Sequence, residues 1–268
     1  MPELPEVTGF KRYLDANALH HTITRVTVTD KRILEDITPQ QLSRSLKGKA
    51  LEKTERYGKY LFARVNADGW LLLHFGMSGR LSYYKDTPPP YAKVVLDFDN
   101  GHHLAYSNMR MIGKVGLVES PEQYVAEQGL GPDALSDRFT SKRFVALLRS
   151  RSGRQRTLRP IKAKLMDQSL IAGVGNEYSD EILFQAKLHP LTDVSKLTDK
   201  ELASIYRIMR RVLRTAAAKG GDVSRYPRGW IMPFRGKGEP CPACASPIKQ
   251  IKLGARSGYF CPACQQQR

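Results

Sequence analysis

The sequence predicts a multidomain α+β chain: an N-terminal β-sandwich or barrel with a flanking helix, then a helical domain, then a small C-terminal hairpin organised by cysteines. Three observations carry that reading. Short strand-like runs separated by glycine turns occupy residues 23–107, apolar residues at three- and four-residue spacings dominate from Ser141 to Ala216, and two Cys-x-x-Cys knuckles lie near the end.

Residues 5–19 (PEVTGFKRYLDANAL) bring Val7, Phe10 and Leu14 onto one helical face. Strand-like runs follow: ITRVTVT at 23–29, KYLFARV at 59–65, WLLLHF at 70–75, AKVVLDF at 92–98 and HHLAYS at 102–107. Several alternate; in AKVVLDF, Val94, Leu96 and Phe98 share a side. The turns between them are Ala67-Asp68-Gly69, Gly76-Met77-Ser78-Gly79 and Asp99-Asn100-Gly101, and 86–91 (DTPPPY) reads as an exposed loop. Around 119–136 the texture changes: Glu119-Ser120-Pro121 and Gly129-Leu130-Gly131-Pro132 read as a linker. Helical patterning then takes over at Phe144, Leu147 and Leu148, at Ile161, Leu165 and Met166, and at Ile182 and Leu183. It is clearest at Leu202, Ile205, Met209, Val212, Leu213 and Ala216, ended by Gly220-Gly221. A basic, proline-bearing stretch, 222–240, leads to the cysteines. The expected domains are 1–130, 131–235 and 236–268.

Lys and Arg number 43 against 26 Asp and Glu in 268 residues, a formal charge of +17, which points to a polyanionic partner. No apolar run reaches the ~18–20 residues of a membrane span. Two acids and two prolines among the first residues are wrong for a signal peptide, so an intracellular, reducing location is expected. There, four cysteines point to metal rather than disulfides. Cys241-Pro242-Ala243-Cys244 and Cys261-Pro262-Ala263-Cys264 are separated by 16 residues, the spacing of one tetrahedral zinc on four thiolates. Four protein ligands close the coordination sphere, so the zinc is structural, and it should hold a unit too small for a core of its own. Strands near 248–253 and 256–260 would form a hairpin whose tip carries Lys252, Arg256 or both, a shape suited to a nucleic-acid groove.

The chain begins Met1-Pro2-Glu3-Leu4-Pro5-Glu6-Val7. On removal of Met1, Pro2 becomes a free secondary amine, able to attack an aldehyde-like carbon and form a cationic iminium. Glu3 and Glu6 supply carboxylates beside it. PELPEV, LLHFGMSG, Ala172-Gly173-Val174-Gly175-Asn176 followed by Tyr178, and the four-cysteine finger, in that order over the whole length, resemble the formamidopyrimidine-DNA glycosylase / endonuclease VIII family. The resemblance implies an N-terminal β-sandwich with flanking helices, a helix–two-turns–helix domain and a C-terminal zinc finger. It also implies base-excision repair of damaged double-stranded DNA by a glycosylase that also cuts the abasic strand, without any cofactor beyond one structural zinc. A monomer is expected, since DNA must enter a cleft between two domains.

The same resemblance assigns roles. Pro2 is the nucleophile, Glu3 the general acid/base, and Glu6 a supporting carboxylate, although a first-turn acid also favours a helix N-terminus by charge alone. Lys59, in Tyr57-Gly58-Lys59-Tyr60, binds phosphate near the lesion. Met77 fills the void left by the flipped base and Arg110 faces the orphaned partner base. Lys162 lies near the active site, among the DNA-binding residues. Asn176 starts a helix whose first amides form a phosphate site, Tyr178 contacts backbone, and Arg256 reaches phosphates flanking the lesion. Three departures stand out. Ile112 replaces the family's usual phenylalanine filler and cannot stack. Glu177 stands where an apolar residue is usual. The 220–240 stretch, with Trp230 and Phe234, is short for the lid of members that excise 8-oxoguanine, which predicts a more open pocket and a relaxed lesion range, still centred on oxidised or ring-opened purines. The competing classes are a catalytically silent damaged-DNA-binding protein on the same scaffold and an unrelated zinc-ribbon protein of translation. Neither needs a prolyl amine beside Glu3.

Overall fold

A computed structural model describes residues 2–66, 69–150 and 160–266, so Met1 and most of the turn predicted at Ala67-Asp68-Gly69 lie outside the described residues. Two compact units emerge: Glu6–Gln128 together with Pro2, and Glu3–Pro5 together with the chain from Gly129 on.

The first unit is a sandwich of two four-stranded antiparallel sheets, not a barrel. One sheet has the order β1 (Ile23–Val28), β6 (Ala92–Phe98), β7 (His103–Asn108), β5 (Gly79–Tyr84); the other β2 (Leu51–Tyr57), β3 (Tyr60–Val65), β4 (Trp70–His74), β8 (Lys114–Val118). Val94, Leu96 and Phe98 enter one core with Leu61, Ala63, Leu71 and Leu73 of the facing sheet. Helices α1 (Leu4–Asn17) and α2 (Pro39–Leu46) add Val7, Leu14, Leu42 and Leu46 to it. Thr38 and Gln41 form a capping box at α2, with Pro39 at the first helical position. Seven residues of the predicted linker are helical. Ser120 caps α3 (Pro121–Glu127), and Tyr124 packs with Phe62, Trp70 and Leu72 in a separate apolar cluster.

In the second unit, α4 (Ser141–Arg149), α5 (Ile161–Met166), α6 (Asn176–Gln185) and α7 (Asp199–Ala218) share one core. All six apolar positions of the α7 pattern are buried in it. The Thr198–Glu201 capping box starts α7. Gly220 and Gly221 both take positive φ just past its end, where the Gly221 amide donates to the Ala216 carbonyl at 3.0 Å. In the 222–240 stretch Tyr226, Trp230, Ile231 and Met232 are buried. The finger hairpin β9 (Lys249–Leu253) and β10 (Arg256–Phe260) turns at Gly254-Ala255. Its core includes Phe184 of α6 and Ile231, and it clusters with the helical unit. No helix among the described residues is long and apolar enough to cross a membrane.

Candidate active site and metal centre

Glu3 is fully buried. Its Oε2 accepts from the Gly175 amide at 2.5 Å and its Oε1 from the Glu177 amide at 2.9 Å. Glu3 is therefore the anion at the N-terminus of α6, where two donors and the helix dipole face a carboxylate. The glycines of Gly173-Val174-Gly175 make this approach possible. Gly173 has φ of +112°, and a Cβ there would lie 2.6 Å from Leu4 Cδ1. The Leu4 amide in turn donates to the Gly173 carbonyl at 3.2 Å. Two expectations change as a result. Gly175, not Asn176, is the cap residue, and two of the amides expected to hold phosphate are occupied by Glu3. The Asn176 side chain instead donates to the Ser257 carbonyl of β10 at 2.8 Å and leaves Oδ1 buried without a partner among the described residues.

Lys162 is also buried, and this corrects its expected DNA contact. Its ammonium donates to Asp180 Oδ1 at 2.6 Å, Ser179 Oγ at 2.7 Å and the Asn176 carbonyl at 2.8 Å, which uses all three protons. Burial pulls its pKa below the ordinary lysine value, against the opposing pull of Asp180. Asp180 Oδ2 takes Arg235 Nε and Nη2 at 3.1 and 2.9 Å and the Tyr259 amide at 3.1 Å. The Tyr178 side chain is buried and its hydroxyl is bonded to that of Tyr226, so the ring belongs to the core. Glu177, the unexpected acid, lies 3.8 Å from Arg235 Nη1. Arg256 is exposed beside the hairpin tip, with Nη1 3.8 Å from Met166 Sδ.

In the sandwich unit, Tyr57 pairs with Tyr60, so Gly58-Lys59 is a two-residue hairpin turn with positive φ at Gly58. His74 faces Tyr60 across β3 and β4, with ring centroids 4.8 Å apart. Burial first, then Lys59 and Lys114, hold its pKa down at about 4. Its neutral Nδ1 has no partner among the described residues, and nothing in the bare sequence singles it out. Glu6 lies in the first turn of α1.

Met77 and Arg110 come together: Arg110 Nη1 is 3.5 Å from Met77 Sδ, and the Arg110 amide donates to Ser78 Oγ at 3.0 Å. A polar ladder underneath fixes the two loops, running from Ser78 through Asn108 and Tyr106 to the His74 carbonyl. A Cβ at Gly76 would strike the Ile112 backbone at 2.6 Å, which is why this turn needs glycine. Met77, Met109 and Ile112 are 43%, 54% and 53% exposed, large for apolar side chains on a protein surface. Met109 is absent from the sequence-based site because a lone methionine beyond a strand carries no pattern. With Met77 as the wedge, Met77→Ala should lower lesion excision on the order of tenfold, from loss of about 1.4 kcal/mol of unstacking support, with the unfolding temperature unchanged. Single-turnover excision and thermal melting read the two quantities.

The four cysteines converge as their spacing predicts. Their Sγ atoms all lie within 4.8 Å of one another. Cys241 to Cys264 is 3.9 Å, and Cys244 is 3.5 Å from both Cys261 and Cys264. These distances exclude disulfides and suit the about 3.8 Å edge of a tetrahedron with metal–sulfur bonds of ~2.3 Å. Gln265 locks the second knuckle: its Oε1 accepts from the Cys261 amide at 2.9 Å and its Nε2 donates to the Leu188 carbonyl at 2.9 Å.

Comparison with known proteins agrees with this geometry. The sequence profile of the formamidopyrimidine-DNA glycosylase N-terminal domain matches residues 1–115, that of the formamidopyrimidine-DNA glycosylase H2TH domain 130–227, and that of the zinc finger found in FPG and IleRS 238–267. The formamidopyrimidine-DNA glycosylase of Laribacter hongkongensis is 35% identical over 99% of this chain and 100% of its own. The chain belongs to the formamidopyrimidine-DNA glycosylase family. The family enzyme of Chloroflexus aggregans is 33% identical over 99% of this chain and 98% of its own. Among solved structures, Lactococcus lactis formamidopyrimidine-DNA glycosylase bound non-covalently to DNA containing an AP site superposes with a TM-score of 0.85 at 28% identity, covering 99% of this chain and 100% of that one. The same enzyme in complex with DNA containing Fapy-dG gives 0.87 at 28%, with the same coverage.

Within the family frame, the strap from 222 to 240 is held by acids of α6. Glu181 Oε2 accepts from the Met232 amide at 3.0 Å, and its Oε1 from Gln185 at 2.8 Å. Burial pushes the Glu181 carboxyl up from 4.5 to about 7. The native state therefore keeps a proton that the unfolded chain sheds above pH ~4.5, and stability falls as pH rises from there to ~7, then levels. The drop is about 3 kcal/mol at most. Glu181→Gln should remove that slope, so that urea-unfolding free energies of variant and parent agree near pH 4.5 and favour the variant at pH 8.

Proposed function

We propose that this chain is a bifunctional DNA glycosylase of base-excision repair, with abasic-site lyase activity supplied by Pro2. The observation that carries the proposal is the buried Glu3, adjacent to Pro2 and fixed by the Gly175 and Glu177 amides. With Met1 removed, the Pro2 nitrogen attacks the deoxyribose C1′ and the bond to the damaged base breaks. Glu3, a carboxylate at rest, takes the proton that the attacking proline nitrogen sheds and delivers it to the ring oxygen, which opens the sugar and leaves an iminium cation; the base, which departs with its bonding electron pair, takes a proton from solvent. The cation withdraws electrons from C2′, whose proton is lost as the 3′ phosphate departs; a second elimination expels the 5′ phosphate. Lys59 and Arg256 neutralise phosphates, Met77 and Ile112 fill the space of the flipped nucleotide, and Arg110 faces its partner base. Cys241, Cys244, Cys261 and Cys264 hold one zinc ion, which supplies structure and no chemical step.

The test is borohydride trapping of protein shown by intact mass to lack Met1. A covalent adduct with abasic duplex is expected, and Glu3→Gln should abolish release of the base. Absence of an adduct would leave a damaged-DNA-binding protein instead. On a panel of defined lesions in the same assay, ring-opened purines and 8-oxoguanine should be processed at comparable rates, because the short strap offers few contacts to the flipped base. A strong preference for 8-oxoguanine opposite cytosine would contradict this.

A further inference from the structure

We propose that Arg235 is a positioning residue for the reaction: it holds the first turn of α6, and through it the amide pair that grips Glu3. The proposal rests on the role given to Glu3 above. The amides that hold Glu3 belong to Gly175 and Glu177, and the cap residue of this helix, Gly175, has no side chain of its own to fix them. Glycines at 173 and 175 leave the entering loop with little stiffness of its own. Something else must set where those amides point, because a misplacement of about 1 Å at a reacting group can cost on the order of 100-fold in rate.

The structure supplies it from behind. Lys162 ties the Asn176 carbonyl, Ser179 and Asp180 Oδ1 together. Arg235 completes the grip on the other side, with two bonds to Asp180 Oδ2 and Nη1 3.8 Å from the Glu177 carboxylate. Its guanidinium is held 5.1 Å from the Tyr259 ring centroid, and the Tyr259 amide reaches the same Asp180 oxygen. Glu177 thus does two things: its amide binds Glu3 and its side chain answers Arg235. The acid that looks unfavourable in the sequence has its counter-charge in the strap. With its charge engaged by two carboxylates and most of its surface covered, Arg235 is not disposed as a phosphate ligand. Asp180, a buried acid receiving four donated bonds, is the hub of the arrangement.

The experiment compares Arg235→Gln, Arg235→Lys and Glu3→Gln in the full-length, zinc-loaded protein. Arg235→Gln should lower the single-turnover rate of base excision about tenfold, a partial misplacement of the kind above. Affinity for a duplex carrying a stable tetrahydrofuran abasic analogue, and its salt dependence, should stay within about twofold, since no phosphate contact is lost. The acid limb of the pH–rate profile should shift, and Arg235→Lys should recover part of the rate. If Arg235→Gln does not fold, Glu177→Gln reads the same coupling from the other side and should lower the rate in the same sense. An unchanged excision rate in a folded variant overturns the proposal, as does a loss of affinity and salt slope that accounts for the rate. Full activity in Glu3→Gln would overturn the premise about Glu3, an outcome separable from a failure at Arg235.

Discussion

Protein that retains Met1, or carries any residue ahead of Pro2, is expected to bind abasic DNA normally and yet give no borohydride adduct and no strand cleavage. The reason is electronic. In a peptide bond the proline nitrogen lone pair is delocalised into the carbonyl, and an amide of that kind does not attack C1′. Freed, the same nitrogen is an α-amine with a reference pKa of about 7.7–8.0, so the nucleophilic fraction and the excision rate should rise with pH up to ~8. Pro2→Gly separates nucleophile from ring. Glycine still offers an amine, but a primary one, whose imine must pick up a proton before it withdraws electrons from C2′, whereas the proline adduct is cationic from the moment it forms. Loss on the order of 100-fold or more is expected for Pro2→Gly, the scale of a removed acid–base or activation step, with affinity for an abasic analogue retained. Intact mass, trapping and an equilibrium binding measurement on the same preparation decide it. Adduct formation by protein with a blocked N-terminus would move the nucleophile to a lysine, and Lys59 would be the first to replace.

Much of this fold is legible in the sequence because its signals are local. The α7 pattern from Leu202 to Ala216 is a helical period long enough to be unambiguous, and paired Cys-x-x-Cys knuckles leave little else for four thiols to do. Strands β2 and β8 are not legible because their burial is not written as alternation: LEKTERY buries only Leu51 and Thr54, and KVGLV buries the adjacent Val115 and Gly116. The predicted linker conceals α3, since a seven-residue helix with one buried aromatic, Tyr124, carries too few periods to register. Within the site, residue types are readable but directions are not. Lysine and tyrosine commonly serve DNA, which favours an outward reading of Lys162 and Tyr178; both point inward, Lys162 to three acceptors and Tyr178 to Tyr226. Glu177 looks like a misfit only because Arg235, its partner, is far away in sequence. Pairings of that kind are set by tertiary packing, and a single sequence holds no trace of them.

Removing the metal is expected to have the second large effect, on two levels. The finger core consists of Phe184, Ile231, Cys241, Ile248 and Cys261, and two of those five are metal ligands. Structural zinc in small fingers supplies ~10–16 kcal/mol of apparent binding free energy, far more than such a cluster provides by burial. Chelation, or Cys261→Ser, should therefore unfold β9 and β10 while leaving the sandwich and α7 intact. Arg256 would leave its position at the hairpin tip, and affinity for abasic duplex should fall on the order of 100-fold with a shallower salt dependence, as phosphate contacts are lost. The helical unit would feel it too, because Ser257 and Tyr259 of β10 brace Asn176 and Asp180 of α6. The two tryptophans make this visible: Trp230, next to Ile231, should report the change, and Trp70 in the sandwich should not. A Trp70→Phe background isolates the Trp230 signal, and zinc content near one per chain should fall in step with it. Undiminished affinity after full loss of zinc would mean that the finger does not grip DNA and that the sandwich and helical units bind it alone.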